Sequence, residues 1–352
     1  MTPEILKVLI TPTLSFAIGI AITPLVTKYL YAYKAWKKNP GKQALDGSVA
    51  TTFNALKAEG EKRTPRMGGI VIWGSSLITI LAVSLLGQIF TDVSDAGIGF
   101  ISRSQTWIPL TTLIVGALVG IVNDVYDIQG HPKGLSLGRR LALITVMAGA
   151  IGWWFYAKLG VSMIGVPFFG YLDIGVFIIP FFVIFTICLY ASGVIDGIDG
   201  LSGGVFATIF AAYALIAFEQ GQTDLASFSA MLVGSILAFL WFNVPPARFY
   251  MTETGTMSLT LTLAVIAFMT DALGDGVGVS AFLIIGFPLV ATVLSVVVQL
   301  IYKKIYGVKL LRIAPLHHHF EAIGWSSAKV TMRYWILSAM CAFVGVMYAL
   351  IA

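Results

Sequence analysis

Residues 202–242 read SGGVFATIFAAYALIAF (Ser202–Phe218), EQGQTDL (Glu219–Leu225) and ASFSAMLVGSILAFLWF (Ala226–Phe242). Two uncharged apolar runs stand back to back around a short polar turn. Each approaches the roughly 20 residues that a helix needs to cross a hydrocarbon layer about 30 Å thick. Working outward in both directions, ten such spans are counted, near residues 5–31, 68–90, 107–123, 138–158, 174–192, 202–218, 226–242, 256–271, 279–302 and 332–351. With 58% of 352 residues hydrophobic and 11% charged, the composition excludes an ordinary soluble domain. The expectation is an all-α integral membrane protein with ten transmembrane helices, in one membrane domain over residues 1–352. The first span is longer than the apolar core of a secretory signal and is expected to stay in place. Cys188 and Cys341 both fall inside spans, which supports neither a disulfide framework nor a cysteine metal site.

The charges orient the spans. All the Lys and Arg residues except Lys7, Lys28, Arg103 and Lys158 sit on the side reached after odd-numbered spans, while Asp92, Asp95, Asp173, Glu219, Asp224, Asp271 and Asp275 fringe the other. The excess of cations marks the cytoplasmic face, so both termini are expected outside. The net charge of +5 therefore speaks of topology, and no nucleic-acid partner is expected. Val161–Asp173, with Gly165, Pro167 and Gly170, reads as a short outer β-hairpin. Pro288, inside the ninth span, is expected to bend it. No internal repeat of the kind found in many transporters is seen.

Chemistry-capable residues gather at the basic ends of the spans. In Asn123-Asp124-Val125-Tyr126-Asp127, two acids three apart share a helix face. Asp196-Gly197-Ile198-Asp199-Gly200 sets two more acids among glycines ahead of a span, either to meet a ligand closely or to make a tight turn with a capping Asp. Asn243–Thr256 is an irregular Pro-rich loop offering Tyr250 and Glu253. Ala314–Glu321 contains His317, His318 and His319, which cannot all face one ligand and do not have zinc spacing. One or two of them suit a phosphate or a hydrogen bond. Lys62, Arg63 and Arg66 at the mouth of the second span suit a phosphate or anionic headgroups. Acids for Mg²⁺, cations for phosphate and an apolar wall together suit phosphoryl transfer between a nucleotide and a lipid.

These motifs, in this order and at these span ends, resemble the polyprenyl-phosphate N-acetylhexosamine-1-phosphate transferases, and Pro315–Glu321 resembles the phospho-N-acetylmuramoyl-pentapeptide transferase branch. Thr64–Gly69, Lys133-Gly134-Leu135-Ser136 and the Asp-Gly-Ile-Asp-Gly turn extend the likeness over nearly the whole chain. The resemblance implies a bacterial cytoplasmic-membrane enzyme with a cytoplasmic-face cleft. It would move phospho-MurNAc-pentapeptide from its UDP carrier (UDP-MurNAc-pentapeptide) to undecaprenyl phosphate with Mg²⁺, giving lipid I and UMP. It also implies a homodimer. Carried over by motif, Asp124, Asp196, Asp199, Glu253 and His318 would be catalytic, with Glu253 and Asp196 on the metal. Asn243, Tyr250 and Gln299 would lie near the uridine, and Lys62, Arg63, His317 and His319 would contact substrate.

The chain departs from the pattern in four places, one of them Gly193-Val194-Ile195 where the family often has Asn-Leu-Thr. Asn123-Asp124 replaces an Asp-Asp pair, Asp127 replaces a Lys, and Glu253 stands where the family has Asp. The mechanism expected is direct attack by a prenyl phosphate oxygen on the sugar-linked phosphorus, with an aspartyl-phosphate route as the alternative. Rival readings are a sibling transferase using UDP-GlcNAc or a related UDP-sugar, an inactive binding relative, and a transporter. A transporter should carry its acids at mid-membrane in repeated halves.

Overall fold

The computed structural model describes residues 3–38, 63–89, 99–130 and 135–352. Helices α1 (Pro3–Ala32), α2 (Ile70–Ile89), α3 (Trp107–Ile128) and α4 (Leu137–Leu159) lead to an antiparallel hairpin of β1 (Met163–Val166) and β2 (Gly170–Asp173). Helices α5 (Ile178–Ala191), α6 (Leu201–Glu219), α7 (Thr223–Asn243), α8 (Thr252–Met269), α9 (Gly278–Ile285), α10 (Phe287–Tyr306), α11 (Leu316–Ala322) and α12 (Ser327–Ile351) follow. The hairpin forms where the outer glycines and Pro167 place it, in the register Met163↔Asp173 to Val166↔Gly170.

Among the described residues, nine helices are long and apolar enough to cross a membrane, where ten spans were expected. The apolar stretch described for α2, Ile70–Leu86, is shorter than these. The expected ninth span is divided. α9 ends at Ile285 and α10 begins at Phe287 with Pro288 in its first turn, where the missing N–H costs no helical bond. The chain is thus a multi-pass membrane protein.

Helix α8 is the axis of the fold and is buried along nearly its whole length. Its hydroxyls would be costly there, but those of Thr256, Ser258, Thr260 and Thr262 donate to carbonyls three or four residues earlier, so the helix satisfies itself. Helix α3 runs antiparallel to it, Gly116 facing Ser258 and Gly120 facing Glu253. A Cβ on Gly120 would stand 2.3 Å from the Glu253 carbonyl oxygen, so only glycine allows this approach. Elsewhere, Ser235 of α7 bonds to Ser15 of α1 and, at 2.8 Å, to Ser76 of α2, tying three helices with small polar groups.

The far end of α8, roughly 27 Å from its start by helical rise, has its own lock. Asp271, two residues past the helix, accepts from Gly165 N of the hairpin at 2.7 Å and from Val279 N of α9 at 2.9 Å. Burial pushes its carboxyl up to about 6, against the pull of those main-chain donors. On the same end, Lys7 forms an ion pair with Asp224 at the head of α7. This cation breaks the charge rule because its own carboxylate partner answers it.

Candidate active site

Helix α3 stays helical through Ile128, which puts Asp124 and Asp127 on one face as their spacing requires, and Arg66 bridges them. Arg66 Nη2 lies 3.3 Å from Asp124 Oδ1 and 3.1 Å from Asp127 Oδ2. Asp124 is wholly buried. Its Oδ2 accepts from Thr252 Oγ1 at 2.5 Å, Thr254 N at 2.9 Å and Thr254 Oγ1 at 2.6 Å. A carboxylate can be held in such a place only because these donors and the guanidinium replace water.

Thr252 joins this acid to the next one. Its N–H donates to Asp196 Oδ2 at 2.9 Å, and its hydroxyl also accepts from Met67 N at 3.1 Å. The residue holds φ at +55°, an unusual conformation for a β-branched side chain, fixed here by bonds to three other segments. The sequence placed the start of this span at 256, four residues late. Two carboxylates from distant segments, Asp196 on Thr252 N and Asp124 on Thr254 N, take the role of caps and let the helix begin in a polar stretch.

Glu253 follows directly and differs in access. Its Oε1 accepts from Arg140 Nη1 of α4 at 2.5 Å, and the two side chains keep 23% and 22% of their surface, against none for Asp124. The Tyr190 hydroxyl reaches both. Asp196 is also partly exposed, its Oδ1 accepting from Ser202 Oγ at 2.7 Å. Glu253, Asp196, Asp127 and Asp199 therefore all keep accessible surface, while Asp124 is sealed.

The histidines arrive from the other side of the Asp196 loop. A Cβ on Gly197 would lie 2.5 Å from His318 Nε2 and 2.7 Å from His317 Nε2, so the absent side chain lets both rings touch this loop. His318 Nδ1 meets Glu321 Oε2 at 2.7 Å, and Ser327 Oγ donates to Glu321 Oε1 at 2.5 Å, which fixes the ring and leaves Nε2 toward the acids. Successive residues on the short helix α11 point in different directions, and His319 turns away to accept from Arg312 N at 3.2 Å.

The remaining expected residues shape the surround. Asn243 is buried, accepting from Gly200 N at 2.9 Å and donating to Phe249 O at 2.7 Å, so it clamps the acidic turn to the Pro-rich loop. Gly200, at φ +75°, is a position where glycine is required. Asp199 Oδ2 accepts from Ala247 N at 3.0 Å, on the loop side of the turn. Tyr250 is braced through its backbone by Pro65 and Gly68, each at 2.8 Å. Gln299 of α10 holds Leu311, ahead of the histidines, through both its amide atoms. Asn123 accepts from Leu135 N at 3.3 Å. Arg63 is exposed, and Lys62, His131 and Lys133 lie outside the described residues.

Sequence reasoning missed Arg140 and the linking role of Thr252. Two arginines in the first turn of α4, Arg139 and Arg140, oppose the helix dipole, and that misfit was a signal that a carboxylate waits nearby.

Comparison with known proteins supplies an independent line. Residues 106–271 match the family described as glycosyl transferase family 4. The phospho-N-acetylmuramoyl-pentapeptide-transferase of Geobacillus sp. (strain WCH70) is 31% identical to this chain, covering 95% of each protein. The proteins of the same name from Anoxybacillus flavithermus (29% identical, covering 96% of this chain and 97% of the relative) and Clostridium perfringens strain ATCC 13124 (28%, covering 97% and 98%) are similar over a comparable extent.

Proposed function

The chain belongs to the phospho-N-acetylmuramoyl-pentapeptide-transferase family, enzymes of the phosphoglycosyl transferase class, and on that premise we propose that it transfers phospho-MurNAc-pentapeptide from its UDP carrier to undecaprenyl phosphate, forming lipid I and UMP in peptidoglycan synthesis. The observation that carries this reading is convergence. Residues 66, 124, 140, 196, 252, 253, 317 and 318, drawn from six separate segments, meet at one end of a bundle of apolar helices. A transporter site at mid-membrane has no counterpart in that arrangement.

The donor set fits Mg²⁺. This ion takes one or two carboxylates and fills its other positions with water and substrate phosphate, so the pair Glu253 and Asp196 suffices. Arg140 already rests on Glu253, so this carboxylate is built to hold a positive charge at the cleft. When bound, Mg²⁺ would neutralise charge on the diphosphate and orient it.

The protein's own groups do the rest by position and charge. Arg140, which keeps part of its surface beside Glu253, is proposed as a donor for phosphate oxygens, and His318 is carried over from the family likeness as a residue near the phosphates. The lipid phosphate is ionised near neutral pH, so its oxygen attacks the sugar-linked phosphorus without first losing a proton to a side chain. Asp124, saturated by Thr252, Thr254 and Arg66, holds the first turn of α8 and thereby aims Glu253. It acts as a positioning residue. The charge distribution supports a cytoplasmic placement of this end, and the expected homodimer is carried over from the family likeness.

The test is to incubate the purified chain with undecaprenyl phosphate and either UDP-MurNAc-pentapeptide or UDP-GlcNAc, with Mg²⁺ or with EDTA. Magnesium-dependent UMP release with lipid I is expected only from the first donor. A product from UDP-GlcNAc alone would assign the sibling activity, and no release from either would mark an inactive relative. A phosphorylated enzyme trapped in a single turnover would replace direct attack by the two-step route.

A further inference from the structure

At the end of the bundle opposite the acids, a cavity of about 540 Å³ is lined by Arg103, Ser104, Trp154, Lys158 and Leu159. Its location follows from the helices. Lys158 is in the last turn of α4, whose first turn carries Arg140, and Arg103 precedes α3, whose last turns carry Asp124 and Asp127. Cations are disfavoured on this side, and the third one present, Lys7, is neutralised by Asp224. Arg103 and Lys158 meet no carboxylate among the described residues.

Two like charges in one concavity repel each other, and a shared anion reverses that repulsion. The volume falls in the range of ligand sites, about 300–1,000 Å³. Lys158 Nζ stands over the Trp153 ring at 5.9 Å from its centroid, which steers the ammonium. The surroundings identify the anion's carrier. Trp107, Trp153, Trp154 and Tyr156 are exposed at this end, the residue types enriched where a helix meets the headgroups, which argues for a cavity at that depth. Below it, Val146 is exposed seven residues before Trp153, on the same stripe of α4, and offers an apolar track for acyl chains.

We propose that this cavity binds the phosphate of an anionic phospholipid in the leaflet opposite the catalytic end, with Arg103 and Lys158 as the cations, Ser104 as a hydroxyl donor, and Trp154 and Leu159 against the glycerol region. The site is separate from the transfer chemistry and stands whether or not the substrate assignment holds.

The test uses the full chain in a neutral detergent, titrated with phosphatidylglycerol or phosphatidylcholine brominated on the acyl chains, and reads tryptophan quenching. The component lost in Trp154→Phe reports this cavity. That component is expected to favour phosphatidylglycerol by about tenfold, to lose the preference in the double variant Arg103→Gln/Lys158→Gln, and to keep it in Arg103→Lys/Lys158→Arg. The thermal unfolding midpoint of the Gln variant in phosphatidylcholine micelles is expected to match wild type, which confirms that it is folded. An undiminished preference in the Gln variant overturns the proposal. So does inorganic phosphate competing as well as the lipid, which would make the occupant a soluble anion.

Discussion

At position 253 one methylene more than an aspartate lets the carboxylate lean onto Arg140 while staying open to the cleft. Glu253→Gln keeps the size and an acceptor for Arg140 but loses the charge. Turnover is expected to fall at least about 100-fold with little change in thermal unfolding in detergent, and wild-type UMP release by this variant would remove Glu253 from the mechanism. Thr252 serves the fold as well as the site. Thr252→Val keeps the branched shape but takes a donor from Asp124 and an acceptor from Met67 N, a loss of about 1–3 kcal/mol readable as a lowered midpoint in unfolding experiments. Thr252→Ser should recover most of it. The acids themselves were legible because a charge at the end of an apolar span needs a reason. Arg66 stood out only as part of a basic rim, and Arg140 and Thr252 not at all, since their importance lies in partners 58, 113 and 128 residues away that no local pattern reveals.

Among the elements, two glycine contacts decide how the parts dock. Gly197→Ala would drive a methyl group into the rings of His317 and His318, prising α11 from the acidic turn. Activity is expected to drop about 100-fold, whereas Gly138→Ala, which meets nothing within 4 Å, should leave UMP release within twofold of wild type, about 0.4 kcal/mol. Equal losses in both variants would argue against the histidine contact. The helices were readable from apolar run length, and the hairpin from its glycines. The true start of α8 was hidden because its caps come from other helices. The division of the ninth span was foreshadowed by Pro288, which sits two residues past the break at Gly286, in the first turn of a helix that begins afresh at Phe287.

For the whole molecule, the far end of α8 gives a clean test of pH dependence. Asp271 titrates near 6 in the folded protein against an ordinary 3.8, so the fold binds this proton more tightly than the unfolded chain does. Its contribution to stability is therefore full below about 4, declines as pH rises through the 4–6 window, and is level above about 6. Asp271→Asn lacks this slope. The advantage in Tm of wild type over the variant is expected to shrink between pH 4 and 6.5, and a parallel offset at every pH would exclude the shift. Thr252 carries one more implication, for biogenesis. Asp124 and Asp196 leave the ribosome 128 and 56 residues ahead of the threonine that pairs with both. Until that later segment is threaded into the bilayer, both early acids lack donors that the folded protein gives them, so part of their hydration is replaced only late in synthesis.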